Sequence, residues 1–147
     1  MSNNIRVGFY FNDKHSSDFD IRIAGVLSPP PEIKKITDSV PHMNGEYDFT
    51  FVYGAPKYNN RHIDVDCFIL CDHNQNMAQT ENEIINWLYG TPFIKLTFDH
   101  QENREYTAKL ESISFDEPDY NMRKLSFKLQ FEAKPFAWDV VLEKEVL

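Results

Sequence analysis

The sequence predicts a mostly β domain with one short α-helix. Two long runs alternate apolar with polar residues, the pattern of strands that have one buried and one solvated face. Turn-forming residues separate the runs, and a single stretch of helical periodicity has cap residues at both ends. A length of 147 residues suits one domain. We therefore expect residues 1–147 to form a single, mostly β domain.

Composition and charge argue against several classes of function. The 15 basic and 23 acidic side chains give a net charge of −8. Without a basic cluster, the chain lacks the phosphate-neutralising charge on which nucleic-acid binding depends. The N-terminus has no secretory signal, and no apolar run approaches the ~18 residues of a membrane helix. The aromatic content of 14% supplies ample apolar area for a core.

Short strands are predicted on both sides of a proline run. Alternation and turn residues place them at residues 6–11, 19–26, 32–40, 47–53 and 93–98. Pro29, Pro30 and Pro31 cannot donate hydrogen bonds to a sheet. These three residues should therefore form a stiff, extended connection.

The first long strand, residues 62–71, changes character along its length. One face is apolar throughout and carries Ile63, Val65, Cys67, Ile69 and Cys71. The other face begins with Asp64 and Asp66. It becomes apolar at Phe68 and Leu70, so we expect that end to lie beneath another element or a second subunit.

Two further long strands flank the turn Glu117-Pro118-Asp119. One runs from Tyr106 to Phe115, and its phase slips at Glu111-Ser112, which predicts a β-bulge. The other, residues 123–133, alternates without interruption and should have one buried face.

The helix is predicted to begin at a capping box. Thr80 is the expected N-cap, and the Glu83 side chain would return to its amide. Gly90 and Pro92 end the helical pattern. A helix of about two and a half turns is too short to persist without packing, so we expect it to cover the sheet.

Neither a metal site nor a disulfide is predicted. Cys67 and Cys71 lie ~13 Å apart along one strand, beyond the ~7 Å Cα limit of a disulfide. They should therefore be free, buried thiols. Residues 62–73 hold several His and Asp side chains as well, but structural zinc commonly takes two close ligand pairs, and no second Cys pair exists. The sequence indicates no cofactor.

Catalytic motifs are absent from the sequence. It has no Gly-x-Ser-x-Gly elbow and no glycine-rich phosphate loop. The acidic pairs are expected to be solvated surface charges, although a hydrolase that uses Asp64 and Asp66 is one alternative. Exposed tyrosines such as Tyr53, Tyr58 and Tyr120 could stack a sugar, which leaves a monomeric carbohydrate-binding module as another.

An ordered series of landmarks resembles a known family. They are Val26–Pro31, Val40-Pro41, Asn44–Phe49, Tyr58, Arg61–Ile63, Ile85–Gly90, Leu96–Asp99, Tyr106, Phe127–Phe131 and Lys134–Phe136. In this order, over about residues 18–136, they resemble the N-terminal domain of the distal tail protein (Dit) family of long-tailed bacteriophages.

The resemblance implies a β-sandwich with a helix and a β-hairpin, similar to the ring domain of a tail tube. It implies a six-fold ring that continues the tail tube and holds tail-tip or baseplate proteins, without catalysis. The expected partners are the tail tube, tape measure and tail-tip proteins. The chain would be assembled in the host cytoplasm and kept in the virion, and its acidic charge would let DNA slide through the lumen.

The chain departs from the family pattern in two ways, the first of which leaves receptor binding open. Many members carry a galectin-like second domain, and we expect none within these 147 residues. Many also have a Cys where this chain has Glu132-Ala133. Another ring protein of the same tail, such as a tube or tube-end protein, is a further alternative.

Contacts between subunits are predicted at exposed apolar positions. Phe68, Leu70 and Pro29–Pro31 are the expected ring contacts. Residues expected to anchor neighbours above or below are Tyr53, Tyr58 and Trp138. Residues 137–147, with three consecutive apolar side chains at 140–142, are expected to form an arm that packs on a neighbour.

Overall fold

The computed structural model describes residues 8–52 and 54–147. Its strands are β1 (Phe9–Phe11), β2 (Lys14–His15), β3 (Arg22–Leu27), β4 (Thr37–Asp38), β5 (Tyr47–Asp48), β6 (Arg61–Leu70), β7 (Ile94–Phe98), β8 (Arg104–Phe115), β9 (Lys124–Ala133), β10 (Ala137–Asp139) and β11 (Lys144–Val146). Helix α1 spans Met77–Leu88, and short 3-10 turns span Ser16–Phe19 and Asp99–Gln101. The mostly β class with one α-helix is confirmed within this part of the chain.

The sheet is antiparallel and curls around its core. Its main path runs β2-β1-β7-β8-β9-β6-β3, and β10 pairs with both β8 and β11. Phe9 and Phe11 of β1 contact Phe131 of β9, with ring centroids 5.9 and 5.3 Å apart. Strands β7 and β8 lie between β1 and β9 in the sheet. The sheet must therefore curl so that β1 and β9 face each other across the core, and the two layers of the predicted sandwich belong to one sheet.

The long strands form as predicted. Along β6 the inward residues lie opposite the inward residues of β9: Ile63 opposite Phe131, Val65 opposite Leu129, Cys67 opposite Phe127 and Ile69 opposite Leu125. All eight are buried. The predicted β-bulge is also present, because the register between β8 and β9 shifts between Leu110 and Ser112.

Helix α1 begins one turn earlier than the capping box predicts. Asn76 is the N-cap, and its Oδ1 accepts from the amides of Ala78 and Gln79 at 3.0 and 3.2 Å. The prediction of Thr80 as N-cap was wrong, because Asn76 caps the first turn and Thr80 donates back to the Asn76 carbonyl. The helix ends at Leu88 and Tyr89 is its C-cap. Gly90 follows at the C′ position with a φ of +79°, as predicted.

Several predicted strands are shorter or shifted. Residues 32–40 and 47–53 yield only the two-residue strands β4 and β5, which pair with each other and not with the main sheet. Among the described residues of these two segments, the large apolar side chains are exposed. The strand predicted at 19–26 begins at Arg22, since a 3-10 turn occupies its start. Of the strand predicted at 6–11, the first two residues lie outside the described range.

Candidate assembly surfaces

The long connection between β3 and β6, residues 28–60, extends away from the main sheet. It is called the arm below and is distinct from the C-terminal residues 137–147. Its two legs hydrogen-bond to each other near the base, where the Lys34 amide donates to the Lys57 carbonyl and the Asn59 amide donates to Glu32, both at 2.8 Å. Farther out, β4 pairs with β5. The arm is therefore a hairpin that holds itself together outside the main sheet.

The arm exposes many large apolar side chains. They are Ile33, Ile36, Val40, Tyr47, Phe49, Phe51 and Val52. Phe51 is 63% exposed and Val52 is 58% exposed. A surface this apolar, concentrated on one segment, is typical of a protein–protein contact.

The base of the arm joins the C-terminal hairpin through an aromatic pair. Tyr58 is half-buried, and its ring meets that of Phe136 edge-on at 5.6 Å. The predicted role of Tyr58 as an anchor for a neighbouring protein stays a prediction. Of the predicted contact prolines, Pro31 is buried, whereas Pro29 and Pro30 are exposed.

A buried cation also lies at this base. Arg61 is 4% exposed, and its Nη2 donates to the Pro29 carbonyl at 2.9 Å and to Ser28 O and Oγ at 3.3 Å. Its Cζ is 5.4 Å from the centroid of the Tyr106 ring. Burial lowers the pKa of Arg61 from its ordinary value because desolvation disfavours the charged form.

The C-terminal residues form a hairpin on the sheet, and their predicted packing on a neighbour stays a prediction. Strand β10 pairs with the start of β8, and β11 pairs with β10. In the turn between them, Asp139 Oδ1 accepts from the amides of Val141 and Leu142 at 3.0 and 2.9 Å. Those two residues, with Val140 and Trp138, keep exposed side chains, so this turn is a second apolar surface.

A third apolar surface lies at the other end of β6. Leu70 is 42% exposed, and Phe68 is half-buried beneath Lys124, whose Nζ is 4.8 Å from the ring centroid. Tyr120 and Met122, in the turn between β8 and β9, are also exposed. Phe68 and Leu70 thus lie on the outer face of the sheet, and their burial by a second subunit stays a prediction.

The acidic pair Asp64 and Asp66 forms no larger cluster of metal-ligating side chains within the described residues. Asp64 and Asp66 lie on the outer face of β6, opposite Gln130 and Lys128 of β9. Across residues 8–52 and 54–147, no three His, Cys, Asp or Glu side chains are grouped so as to hold a metal ion. No helix in the described part of the chain is long and apolar enough to cross a membrane.

The two thiols are free and buried, as predicted. Burial, followed by the nearby charge of Asp66, raises the pKa of Cys67 to about 12. Burial also raises the pKa of Cys71.

Sequence reasoning missed most of the arm surface and the Arg61 contacts. Phe51 and Val52 were assigned to a strand, although Pro56 and the three earlier prolines bracket the segment and could have marked it as an excursion. Tyr53, a predicted anchor, lies outside the described residues. The remaining predicted contacts at Pro29, Pro30 and Trp138 are exposed.

Comparisons with known proteins agree on the type of protein. The model of the phage tail protein RIFT-related domain family matches residues 14–133. A crystal structure of Dit from phage SPP1, described as a paradigm of the hub adsorption apparatus in phages that infect Gram-positive bacteria, is similar with a TM-score of 0.73. The two share 12% identity over 90% of this chain and 52% of that one, so this chain spans about half the length of SPP1 Dit. No curated protein matches it. The family match covers most of the sheet, and the chain therefore belongs to the family of phage tail proteins that share the RIFT-related domain.

Proposed function

We propose that this phage tail protein forms a six-membered ring at the distal end of the tail tube and connects the tube to tail-tip or baseplate proteins. The similarity to SPP1 Dit, a hub protein by its description, supports this position. The observation on this chain that carries the proposal is the apolar surface of the arm, which no part of the described domain covers.

The arm is long enough to reach a neighbouring copy. The leg from Pro31 to Val40 would span about 30 Å if fully extended at ~3.3 Å per residue, while a domain of this length has a radius of gyration of about 15 Å. A contact from the arm of one copy to a different surface of the next is heterologous. Such contacts close into a ring when the rotation between copies is a simple fraction of a turn.

The edge of the sheet supports the same arrangement. Strand β3 is the last strand of the main path and pairs with β6 alone among the described strands. Its other edge can accept a strand from a neighbouring copy, and ring closure removes an edge that would otherwise invite aggregation. Leu27, at the end of β3, is exposed next to this edge.

The remaining apolar surfaces suit contacts within the ring or with other tail proteins. We place Phe68, Leu70, Pro29 and Pro30 in contacts between neighbouring copies. Trp138 and the turn at 140–142 would meet the tail tube, tape measure or tail-tip proteins. The net charge of −8 suits a lumen lined by carboxylates, through which DNA passes without binding. The chain would act in the virion after assembly in the host cytoplasm, and it has no catalytic role in this proposal.

A pair of charge-introducing variants tests the role of the arm. Phe51→Glu places a carboxylate on the arm, and we expect it to remain monomeric where the unchanged protein assembles. Tyr10→Glu changes an exposed aromatic residue of β1 and serves as the matched control that should assemble normally. Size-exclusion chromatography with light scattering, with the tail tube protein added if needed, measures both. Assembly of Phe51→Glu equal to that of the control would exclude the arm from the contact.

A further inference from the structure

At the base of the arm, the Arg61 side chain donates to the first residues of the arm, and the Asn60 side-chain amide donates to Glu132 Oε1 of β9 at 3.4 Å. Pairing of β3 with β6 ends at Leu27 opposite Asp64. Beyond Leu27 the chain continues with Ser28 and then with three prolines. The prolines have no backbone N–H to donate. Their carbonyls still need donors. Arg61 supplies these donors, because its Nη2 reaches both the Ser28 and the Pro29 carbonyl.

Arg61 thereby links the two legs of the arm at the sheet. Ser28 and Pro29 begin the outgoing leg, and Arg61 is the residue at which the returning leg enters β6. The hydrogen bonds between Lys34 and Lys57 and between Glu32 and Asn59 hold the legs to each other. Those bonds do not fix the direction in which the pair of legs leaves the sheet. Contacts between the legs and the sheet must do so.

We expect the stability of the domain not to require an arginine at this position. A buried charge without a counter-ion is destabilising, and an apolar side chain of similar volume is often neutral or better. No carboxylate forms a salt bridge with Arg61 in the described part of the chain. Within the same residues its Nε and Nη1 have no hydrogen-bond acceptor from the protein. The lowered pKa of Arg61 agrees with this desolvation.

We propose that Arg61 is a positioning residue that fixes the direction of the arm relative to the sheet. The guanidinium acts as a clasp: its Cζ lies 5.4 Å from the centroid of the Tyr106 ring in β8, and its Nη2 donates to the first residues of the arm. The Tyr58–Phe136 ring pair is a second, apolar tie at the same base. If every arm leaves the sheet in the same direction, each copy can contact the next copy of the ring with the same geometry. This consequence rests on the proposed function.

A distance measurement tests the clasp without any assembly. Spin labels on Asn44→Cys, near the tip of the arm, and Lys128→Cys, on the outer face of β9, report the direction of the arm by double electron–electron resonance. The native thiols are buried, and the Cys67 pKa of about 12 keeps that thiol protonated during labelling near pH 7. We expect one narrow distance distribution in the otherwise unchanged protein.

Three variants of this labelled protein decide the result. R61M should broaden the distribution while the far-ultraviolet circular dichroism stays the same. R61K keeps the charge, but the lysine ammonium lies one bond short of the Nη2 position that reaches Ser28 and Pro29, so R61K should also broaden the distance distribution. R123M is the matched control, because Arg123 also donates to backbone carbonyls, those of Asp72 and Gln75, but does so at the other end of β6 from the arm; it should leave the distribution narrow.

Three outcomes would overturn the proposal. The first is a broad distance distribution in the labelled protein that keeps Arg61. The second is a narrow distribution in both R61M and R61K when these variants are folded. The third is loss of the fold in both variants, because Arg61 would then be needed for the stability of the core. Assembly provides a separate readout, in which R61M should lose ring formation and Tyr10→Glu should retain it. If the unchanged protein forms no ring with its tail partners, the proposed function fails, while the distance measurement still tests the clasp.

Discussion

Replacement of Trp87 should show how strongly helix α1 is held to the sheet. Trp87 is 5% exposed and lies between two rings, with centroids 5.5 Å from Phe9 and 4.6 Å from Phe19. Its Nε1 donates to the buried carbonyl of Phe11 at 2.8 Å. The side chain thus joins the helix to β1 and to the 3-10 turn that follows β2.

The structure sets the magnitude for two substitutions. Trp87→Ala removes a fully packed aromatic side chain, which costs about 3–5 kcal/mol of the free energy of unfolding. Trp87→Phe keeps much of the stacking but leaves the Phe11 carbonyl without this donor, which costs about 1–3 kcal/mol. Because small domains have about 5–15 kcal/mol in total, the alanine variant should lose a large fraction of the free energy of unfolding.

Urea denaturation followed by far-ultraviolet circular dichroism measures both variants. The matched control is Trp138→Ala, since Trp138 is 44% exposed and should cost less than about 1 kcal/mol. The account of helix packing is refuted if Trp87→Ala costs no more than this control.

Three smaller predictions concern the cap, one acidic group and the thiols. Asn76→Ala should cost about 1 kcal/mol of the unfolding free energy, and Thr80→Ala less, by urea denaturation; the reverse order would restore the capping-box interpretation. Hydrogen bonds from the Thr50 hydroxyl and, second, from the Thr50 amide hold the pKa of Asp48 below its ordinary value. The stabilisation from these bonds is therefore present above pH ~3.9, and it is lost as the pH falls through the pKa that Asp48 has in the folded protein. An NMR titration should therefore give Asp48 a pKa below 3.9, and a higher value would contradict these contacts. Cys67 should react with a disulfide reagent at pH 8 only as fast as the domain unfolds, because its pKa is raised to about 12, and faster reaction would mean that the strand opens locally.

The main sheet could be predicted because one face of each long strand is buried within the same chain. In β6 and β9 the alternation of apolar and polar residues reports that burial directly. The bulge at Ser112 was predictable for the same reason, since one extra residue reverses the faces that follow it.

The arm could not be predicted, because local alternation does not say what covers an apolar face. Phe49 and Phe51 have the spacing of a strand residue pair, yet they are exposed in this structure. The Arg61 clasp joins positions more than thirty residues apart, a separation that no local pattern reveals. The helix start was missed because two cap signals compete within one turn, and Asn76 takes the position that Thr80 and Glu83 predict farther along.

The mass and shape of the assembled protein test the central claim most directly. Six copies of the 17.3 kDa chain amount to about 104 kDa, so native mass spectrometry of the purified protein, alone or with its tail tube partner, should give a six-copy species. Electron microscopy of that species should show a closed ring with an open centre and with the arm of each copy against the next. A protein that remains a monomer at high concentration in the presence of the tube protein, with the arm free in solvent, would contradict the account.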